Sequence, residues 1–387
     1  MILAHKIRIY PSREQEQFLK KSCGVARFVY NWGLAEWQNQ YKNGRKPNHF
    51  MLEKLFNSIK KQEFPFVNEV SCCCYKCAFS KLGKAYKNFF DRRANYPKFK
   101  KKGMHDSFRL ENNCFSVSNQ RVKLAKMATM RMAEPLRFDG KIMSGTVSRV
   151  ADKLYISIAV EISRDLTLPK TGKYAGVDLG VKDIVITSDG CKFANPRWIQ
   201  KSEKKLKRLN RELARRKRTS KRRERTRLRL ARQHDRVANQ RKDWLHKITT
   251  YLVRNYDVIA LEDLNVRGMV KNHNLAKAIT NVSFGEFNRQ IEYKAQMYGK
   301  QIYRVDRFFP SSKTCSNCGC VQEKMPLYVR EWTCPDCGAH HDRDINAATN
   351  LLRQAMPEVT RGERLALVIS EISDVTKLDS LNRESRI

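Results

Sequence analysis

Tyr174-Ala175-Gly176-Val177-Asp178-Leu179-Gly180 is the stretch that decides the fold. Its first five residues read as a strand ending on an acid, and the glycines around that acid keep its surroundings open. Ile184-Val185-Ile186-Thr187 reads as a second strand, and Ser188-Asp189-Gly190 turns the chain into a third. A long basic helical region follows from about residue 197 to 255. Tyr256-Asp257-Val258-Ile259-Ala260-Leu261 is then an apolar strand, trailed by a helix near 283–299 and a strand at Gln301-Ile302-Tyr303-Arg304-Val305. Three antiparallel strands followed by strands alternating with helices is the order of an RNase H-like fold.

Upstream the pattern changes. Lys6-Ile7-Arg8-Ile9-Tyr10 alternates like a half-buried strand and stops at Pro11. Ser12 with Gln15 makes a capping box for a helix whose apolar residues include Phe18, Leu19, Val25, Phe28, Val29, Trp32 and Leu34. Phe79, Leu82, Tyr86, Phe89 and Phe90 repeat that spacing further on. From Asn95 short strands take over, ending in the run Leu154–Val160. The reading is an α+β multidomain chain, in which a small β domain beginning with residues 1–10 is interrupted by a helical insertion. The last segment, 353–387, has six basic and six acidic residues and weak periodicity, and reads as a disordered tail.

The charge narrows the partners. The 387 residues carry 77 Lys and Arg against 39 Asp and Glu, a net charge of +38 with a pI near 10.0. Such a chain repels itself unless a polyanion neutralises it, which points to nucleic acid. A membrane surface is the weaker alternative, because no apolar run of about 18 residues and no lipidation motif is present. The N-terminus lacks the apolar stretch of a secretory signal, so the expected location is the cytoplasm or nucleoid. Twelve cysteines could suggest disulfides, but two CxxC pairs argue for metal in a reducing compartment.

Cys315-Ser316-Asn317-Cys318 and Cys334-Pro335-Asp336-Cys337 are two knuckles separated by fifteen residues. Four thiolates at that spacing close a tetrahedral Zn²⁺ site with no open position, hence a structural one, with a hairpin expected between the knuckles. Cys320, His340 and His341 lie near enough to substitute but are not needed. Cys72-Cys73-Cys74-Tyr75-Lys76-Cys77 has no second pair and reads as small apolar core and face residues of a helix, and Cys23, Cys114 and Cys191 read as small buried residues.

Three carboxylates stand out. Asp178 ends the first strand, Glu262 ends the apolar strand, and Asp344 lies in His341-Asp342-Arg343-Asp344-Ile345-Asn346-Ala347-Ala348, whose small residues suit a helix packed close on a sheet. A carboxylate at that helix start is favoured by the orphan amides. A single acid at a strand end is ordinarily a turn or surface residue, and Asp183, Asp189, Asp257 and Asp263 are assigned to that class. Asp342 is taken as a supporting or solvent-facing acid. Three acids brought together would repel unless cations held them, and two Mg²⁺ about 4 Å apart can activate water and stabilise a leaving 3′-oxygen. Oxygen donors favour Mg²⁺ or Mn²⁺ over Zn²⁺ at this site.

Between Lys201 and Arg241 nineteen Lys and Arg face four acids, around a narrow stripe of Leu206, Leu209 and Leu213 and a turn at Thr219-Ser220. A solvated helical face is the ordinary account of a charge run, but this one is too one-sided to lack a polyanion. Arg208, Arg211, Arg215 and Arg222 are the candidate phosphate contacts. Tyr96-Pro97-Lys98-Phe99-Lys100 interleaves aromatics with cations, so Tyr96, Lys98 and Lys100 are candidates for stacking and phosphate contact, an ordinary basic loop being the alternative.

Gly176–Gly180, Ala260-Leu261-Glu262-Asp263-Leu264-Asn265, Phe309-Pro310-Ser311-Ser312-Lys313-Thr314-Cys315 and Asp342–Ala348, in this order and spacing, resemble TnpB of bacterial insertion sequences, proteins similar to compact type V CRISPR effectors. Arg8-Ile9-Tyr10-Pro11 and Tyr96–Lys100 fit as well, so the resemblance runs to about residue 352. It implies a wedge-like β domain (1–10 and 96–170), an inserted helical recognition domain (11–95), a RuvC-like nuclease domain (171–309 and 341–353), a zinc ribbon (310–340) and a tail (354–387). It further implies a guide RNA from the transposon end, a target double-stranded DNA marked by a short flanking motif, and DNA cleavage by Asp178, Glu262 and Asp344. The four knuckle cysteines match the zinc ligands, and no obligate protein partner is evident. Two other readings compete. A DNA-transposing recombinase also uses three acids, but no helix-turn-helix or coiled-coil signal accompanies them. An RNA-guided repressor is disfavoured by the intact acid set.

Overall fold

The computed structural model describes residues 1–326 and 328–356. They fall into two units, Met1–Arg164 with Arg215–Asp235, and Asp165–Ala214 with the residues from Arg236 on. Among the described residues no helix is long and apolar enough to cross a membrane.

The first unit opens with β1 (Ile2–Tyr10), whose alternate residues His5, Ile7 and Ile9 are buried as the pleat requires. Helix α1 (Arg13–Lys42) starts on the expected capping box: Gln15 N donates to Ser12 Oγ at 3.2 Å and Ser12 N to Gln15 Oε1 at 2.9 Å. It packs with α2 (His49–Glu63) and α3 (Cys73–Phe90) around Leu34, Phe56, Phe79 and Leu82, with Trp32 edge-on to Phe79. Six strands follow: β2 (Ser107–Glu111), β3 (Phe115–Ser118), β4 (Arg121–Leu124), β5 (Met130–Met132), β6 (Lys141–Val150) and β7 (Lys153–Glu161). Together with β1 they form one sheet in the order β2-β6-β7-β1-β5-β4-β3. Strand β1 pairs with β7 along nearly its whole length, Ile7 opposite Ile156.

One expectation fails here. Cys73 and Cys114 are buried as foreseen, but the structure also joins them by a disulfide that ties the start of α3 to the segment before β3. Cys191 is half-buried rather than buried, with Sγ 3.6 Å from Tyr251 Oη; in the Cys72–Cys77 run Cys72 is exposed and Cys73, Cys74 and Cys77 are buried, the mix of face and core that was expected.

The second unit is built on β8 (Tyr174–Asp178), β9 (Asp183–Thr187) and β10 (Lys192–Ala194), then α4 (Trp198–Arg215), α5 (Lys221–Asn255, shared with the first unit), β11 (Val258–Glu262), α6 (Val266–Lys271), α7 (His273–Val282), α8 (Phe284–Tyr298) and β12 (Gln301–Val305). A small hairpin, β13 (Glu331–Thr333) and β14 (His340–Asp342), precedes a helix over residues 343–356, α9. The sheet order is β10-β9-β8-β11-β12, antiparallel up to β8 and parallel from β8 to β12. That is the RNase H-like arrangement read from the sequence. The tail expected over 354–387 begins too early, since 354–356 still belong to α9, and the rest of it lies outside the described residues.

The pleat sorts this sheet into two faces. Ala175, Val177, Ile259 and Leu261 pack into a core with Leu245, Leu252, Phe287 and Ile291 of α5 and α8. On the opposite face Ala260 and Val305 lie against Leu351 and Ala355 of α9. Gly176 belongs to that second face, and a Cβ there would fall 1.8 Å from Ala348 O and 2.8 Å from Leu352 N. Only a hydrogen fits, so α9 lies on the strand at backbone contact. Gly176→Ala is therefore expected to cost ~3 kcal/mol or more. Gly285→Ala, whose Cβ would meet nothing within 4 Å, should leave stability near that of the parent; thermal melting of the two variants beside the parent checks both.

Candidate nuclease site

Residues two apart on a strand share a face, so Asp178 follows Gly176 and Glu262 follows Ala260 on the side covered by α9. Leu261 is the register partner of Val177, which brings Asp178 and Glu262 to the same carboxyl end of neighbouring parallel strands. Asp344, the second residue of α9, arrives above that end. Thus Asp178 lies in the electrostatic field of both Asp344 and Glu262. Burial, then Asp344, then Glu262 push the Asp178 carboxyl up to about 7, although one side of the residue stays open. Burial and the neighbouring Asp263 raise Glu262 as well.

Among the described residues the only group of three or more His, Cys, Asp or Glu with all ligand atoms within 4.8 Å of one another is the four knuckle cysteines. The donors of Asp178, Glu262 and Asp344 are all hard oxygens suited to a divalent cation such as Mg²⁺.

Asp342 has a definite task. Its Oδ1 accepts from Asp344 N at 3.0 Å and Ile345 N at 3.1 Å, so it caps α9 and satisfies the amides that the sequence reading gave to Asp344. Lys192 of β10 pairs with the other oxygen of Asp342. Asp344 is left to project into the site, where Arg330 Nη1 lies 3.2 Å from both its carboxylate oxygens. Sequence reasoning missed Arg330 and Lys192, since only the tertiary fold carries them to the acids. The other acids are structural as foreseen: Asp257 holds Thr171 N, Gly172 N and the buried Lys300, and Asp189 accepts from Tyr256 Oη at 2.5 Å. Asp263 pairs with Arg307.

The cysteines close a cage. Cys315 and Cys337 Sγ are 3.7 Å apart and Cys318 and Cys334 Sγ 3.6 Å. A tetrahedron with metal–sulfur bonds of about 2.3 Å has edges of about 3.8 Å, so the four sulfurs fit one Zn²⁺. The two knuckles repeat one backbone pattern: Gly319 N donates to Cys315 O and Gly338 N to Cys334 O, each at 2.9 Å, with the glycines at φ +84° and +70°. The hairpin does not lie between the knuckles as expected. Strands β13 and β14 flank the second knuckle instead, Trp332 opposite His341, because Cys334–Cys337 itself supplies the tight turn. His341 Nε2 lies 3.0 Å from Cys315 Sγ, supporting a ligand rather than replacing one.

Of the candidate nucleic-acid contacts, Arg208, Arg211, Arg215 and Arg222 are all exposed, around the stripe of Leu206, Leu209 and Leu213. Lys98 is exposed and Tyr96 keeps 42 % of its surface, although its hydroxyl bonds Tyr86 Oη at 3.0 Å. Lys100 differs from its reading. Its ammonium lies 3.5 Å from the centroid of the Tyr30 ring, and burial brings its pKa down to about 7, so it packs inward instead of standing free for a phosphate.

A protein of Streptomyces pristinaespiralis named "Putative RNA-guided DNA endonuclease" is 36 % identical over 367 residues, covering 93 % of this chain and 91 % of its own. "TnpB-like protein L79" of Acanthamoeba polyphaga mimivirus is 24 % identical over 91 % of this chain and 73 % of its own. The chain belongs to the TnpB family. A second RNA-guided endonuclease relative, InsQ of Escherichia coli K12, whose name carries the same qualifier, is 30 % identical over 93 % of this TnpB-family chain and 94 % of its own. The family model OrfB_IS605, described as "Probable transposase", matches residues 157–273, and one described as "Cas12f1-like, TNB domain" matches 284–351. A model described as "Helix-turn-helix domain" matches residues 1–46, where the structure has one strand and a single unbroken helix. A Cas12f1 protein solved by cryo-EM with sgRNA and target DNA shares the fold at a TM-score of 0.55 and 13 % identity, over 91 % of this chain and 98 % of that one.

The raised carboxyl of Asp178 has a signed consequence. An acid whose pKa rises on folding, here from 3.8 to about 7, destabilises the folded state above the higher value and is neutral to stability below the lower one. In magnesium-free buffer Asp178→Asn should therefore be more stable than the parent by about 1–3 kcal/mol near pH 8, after allowance for solvent on the open side. The gain should shrink as pH falls through about 7 and vanish near pH 4. Urea midpoints across this range check it; a pH-independent difference would show that the carboxyl titrates normally.

Proposed function

We propose that this TnpB-family protein is the RNA-guided DNA endonuclease of a transposable element, hydrolysing DNA phosphodiesters at Asp178, Glu262 and Asp344 with divalent metal. The observation that carries the reading is the convergence of three carboxylates on one end of an RNase H-like sheet. Asp178 feels both other acids. Asp178, Glu262 and Asp344 are the residues that would hold divalent metal. Bound there, Mg²⁺ or Mn²⁺ would activate water and stabilise the leaving 3′-oxygen. The chain's own residues hold the donors at fixed spacing: Gly176 and Ala260 seat α9, and Asp342 with Lys192 fixes its first turn.

The four cysteines are assigned a structural Zn²⁺. The first sheet with its inserted helices, and the exposed arginines of α4 and α5, are assigned to guide RNA and to the RNA–DNA heteroduplex. Base pairing would then select the target double-stranded DNA and the protein would read only a short flanking motif. A net charge of +38 suits that scaffold role, and affinity should fall steeply with salt.

Cys334→Ser is expected to lose its stoichiometric zinc by elemental analysis and to melt at lower temperature than the parent. The function itself is tested by co-expressing the chain with RNA from its own locus and challenging a plasmid library in Mg²⁺, beside Asp178→Ala. Guide-matched cuts next to one fixed motif, absent in the variant, are expected. Guide-dependent binding without cuts would favour the repressor, and neither cuts nor guide-dependent binding would overturn the RNA-guided reading.

A further inference from the structure

Arg330 closes the connection between the two knuckles and leads directly into β13. Its backbone is pinned, because Arg343 N donates to Arg330 O at 2.8 Å and so continues the β13–β14 ladder up to the start of α9. From there one guanidinium nitrogen, Nη1, sits 3.2 Å from both oxygens of Asp344. Arginine usually meets a carboxylate with two nitrogens, each on its own oxygen. A single positive centre astride both oxygens is instead the way a carboxylate chelates a cation. Two other cations lie close by: Lys192 is engaged by Asp342, and Arg343 Nη1 donates to Pro326 O at 3.1 Å. Arg330 is 52 % exposed and Asp344 21 %, so the pair is within reach of solvent and can exchange.

Resting on the nuclease reading above, we propose that Arg330 is a displaceable counter-ion for Asp344, delivered by the zinc ribbon, which competes with divalent metal for that carboxylate. Without DNA, Arg330 satisfies Asp344 and weakens metal binding. When DNA enters, its phosphates offer the guanidinium another anion, Asp344 is released, and metal and DNA bind with positive linkage. Arg330 is in this sense a positioning residue. It sets when the acid is available to metal, and the ribbon's fold sets where Arg330 stands.

The test is Mn²⁺ binding to the full zinc-loaded chain, followed by electron paramagnetic resonance, with and without a phosphorothioate DNA that resists cleavage. Arg330→Ala is expected to tighten Mn²⁺ binding in the DNA-free protein by about two- to fivefold, the size of an accessible ion pair. It should also reduce the further tightening that DNA produces, while Arg330→Lys stays close to the parent. In an Asp344→Asn background, Arg330→Ala should change nothing. Unchanged or weaker Mn²⁺ binding in Arg330→Ala, with zinc content and melting intact, would overturn the proposal. If the parent binds no more Mn²⁺ than Asp178→Ala does, the assignment of metal to the acids fails, and this inference with it.

Discussion

The backbone of α9 runs against β8 with room for no more than a hydrogen at Gly176. Much of the second unit is arranged around that contact. The pleat ties Gly176 to Asp178 and Ala260 to Glu262, so one face carries small residues beneath the helix and acids just beyond its end. The opposite face carries Val177, Ile259 and Leu261 into the core formed with α5 and α8. A larger residue at 176 would lift α9, and Asp344 would rise with it.

Electrostatics works against that packing. Three carboxylates share one sheet edge, and Asp178 is driven towards its neutral form. Their surroundings answer with cations drawn from several elements: Lys192 from β10, Arg330 from the ribbon, Arg307 beyond β12. Arg330 pairs with Asp344 itself, while Lys192 and Arg307 pair with the neighbouring acids Asp342 and Asp263.

The strands, the helices and the acid set were legible because they rest on local signals. Gly176–Gly180 and Ala260–Asn265 announce strand ends, and the knuckles announce a cage. What was not legible depends on which elements meet. The capping role passed from Asp344 to Asp342, since only the path from β14 into α9 decides which carboxylate faces the amides. Lys100 looked like a phosphate contact until α1 placed Tyr30 beneath it. The hairpin moved from between the knuckles to around the second, because β13 pairs with β14 on the far side of the second knuckle and Cys334–Cys337 makes the turn. Cys73 and Cys114 lie far apart in sequence, and nothing in their spacing distinguishes a bonded pair from two buried thiols.

The acids are spread along the chain, with Asp178 on the first strand of the sheet and Asp344 on the helix that follows the ribbon. A polypeptide emerging from the ribosome therefore carries Asp178 and Glu262 long before Asp344. Growing chains already hold most of the basic surface that attracts polyanions, yet they lack the complete acid set. Synthesis order thus places most of the basic surface before the complete acid set, and a product ending before residue 344 would carry the one without the other.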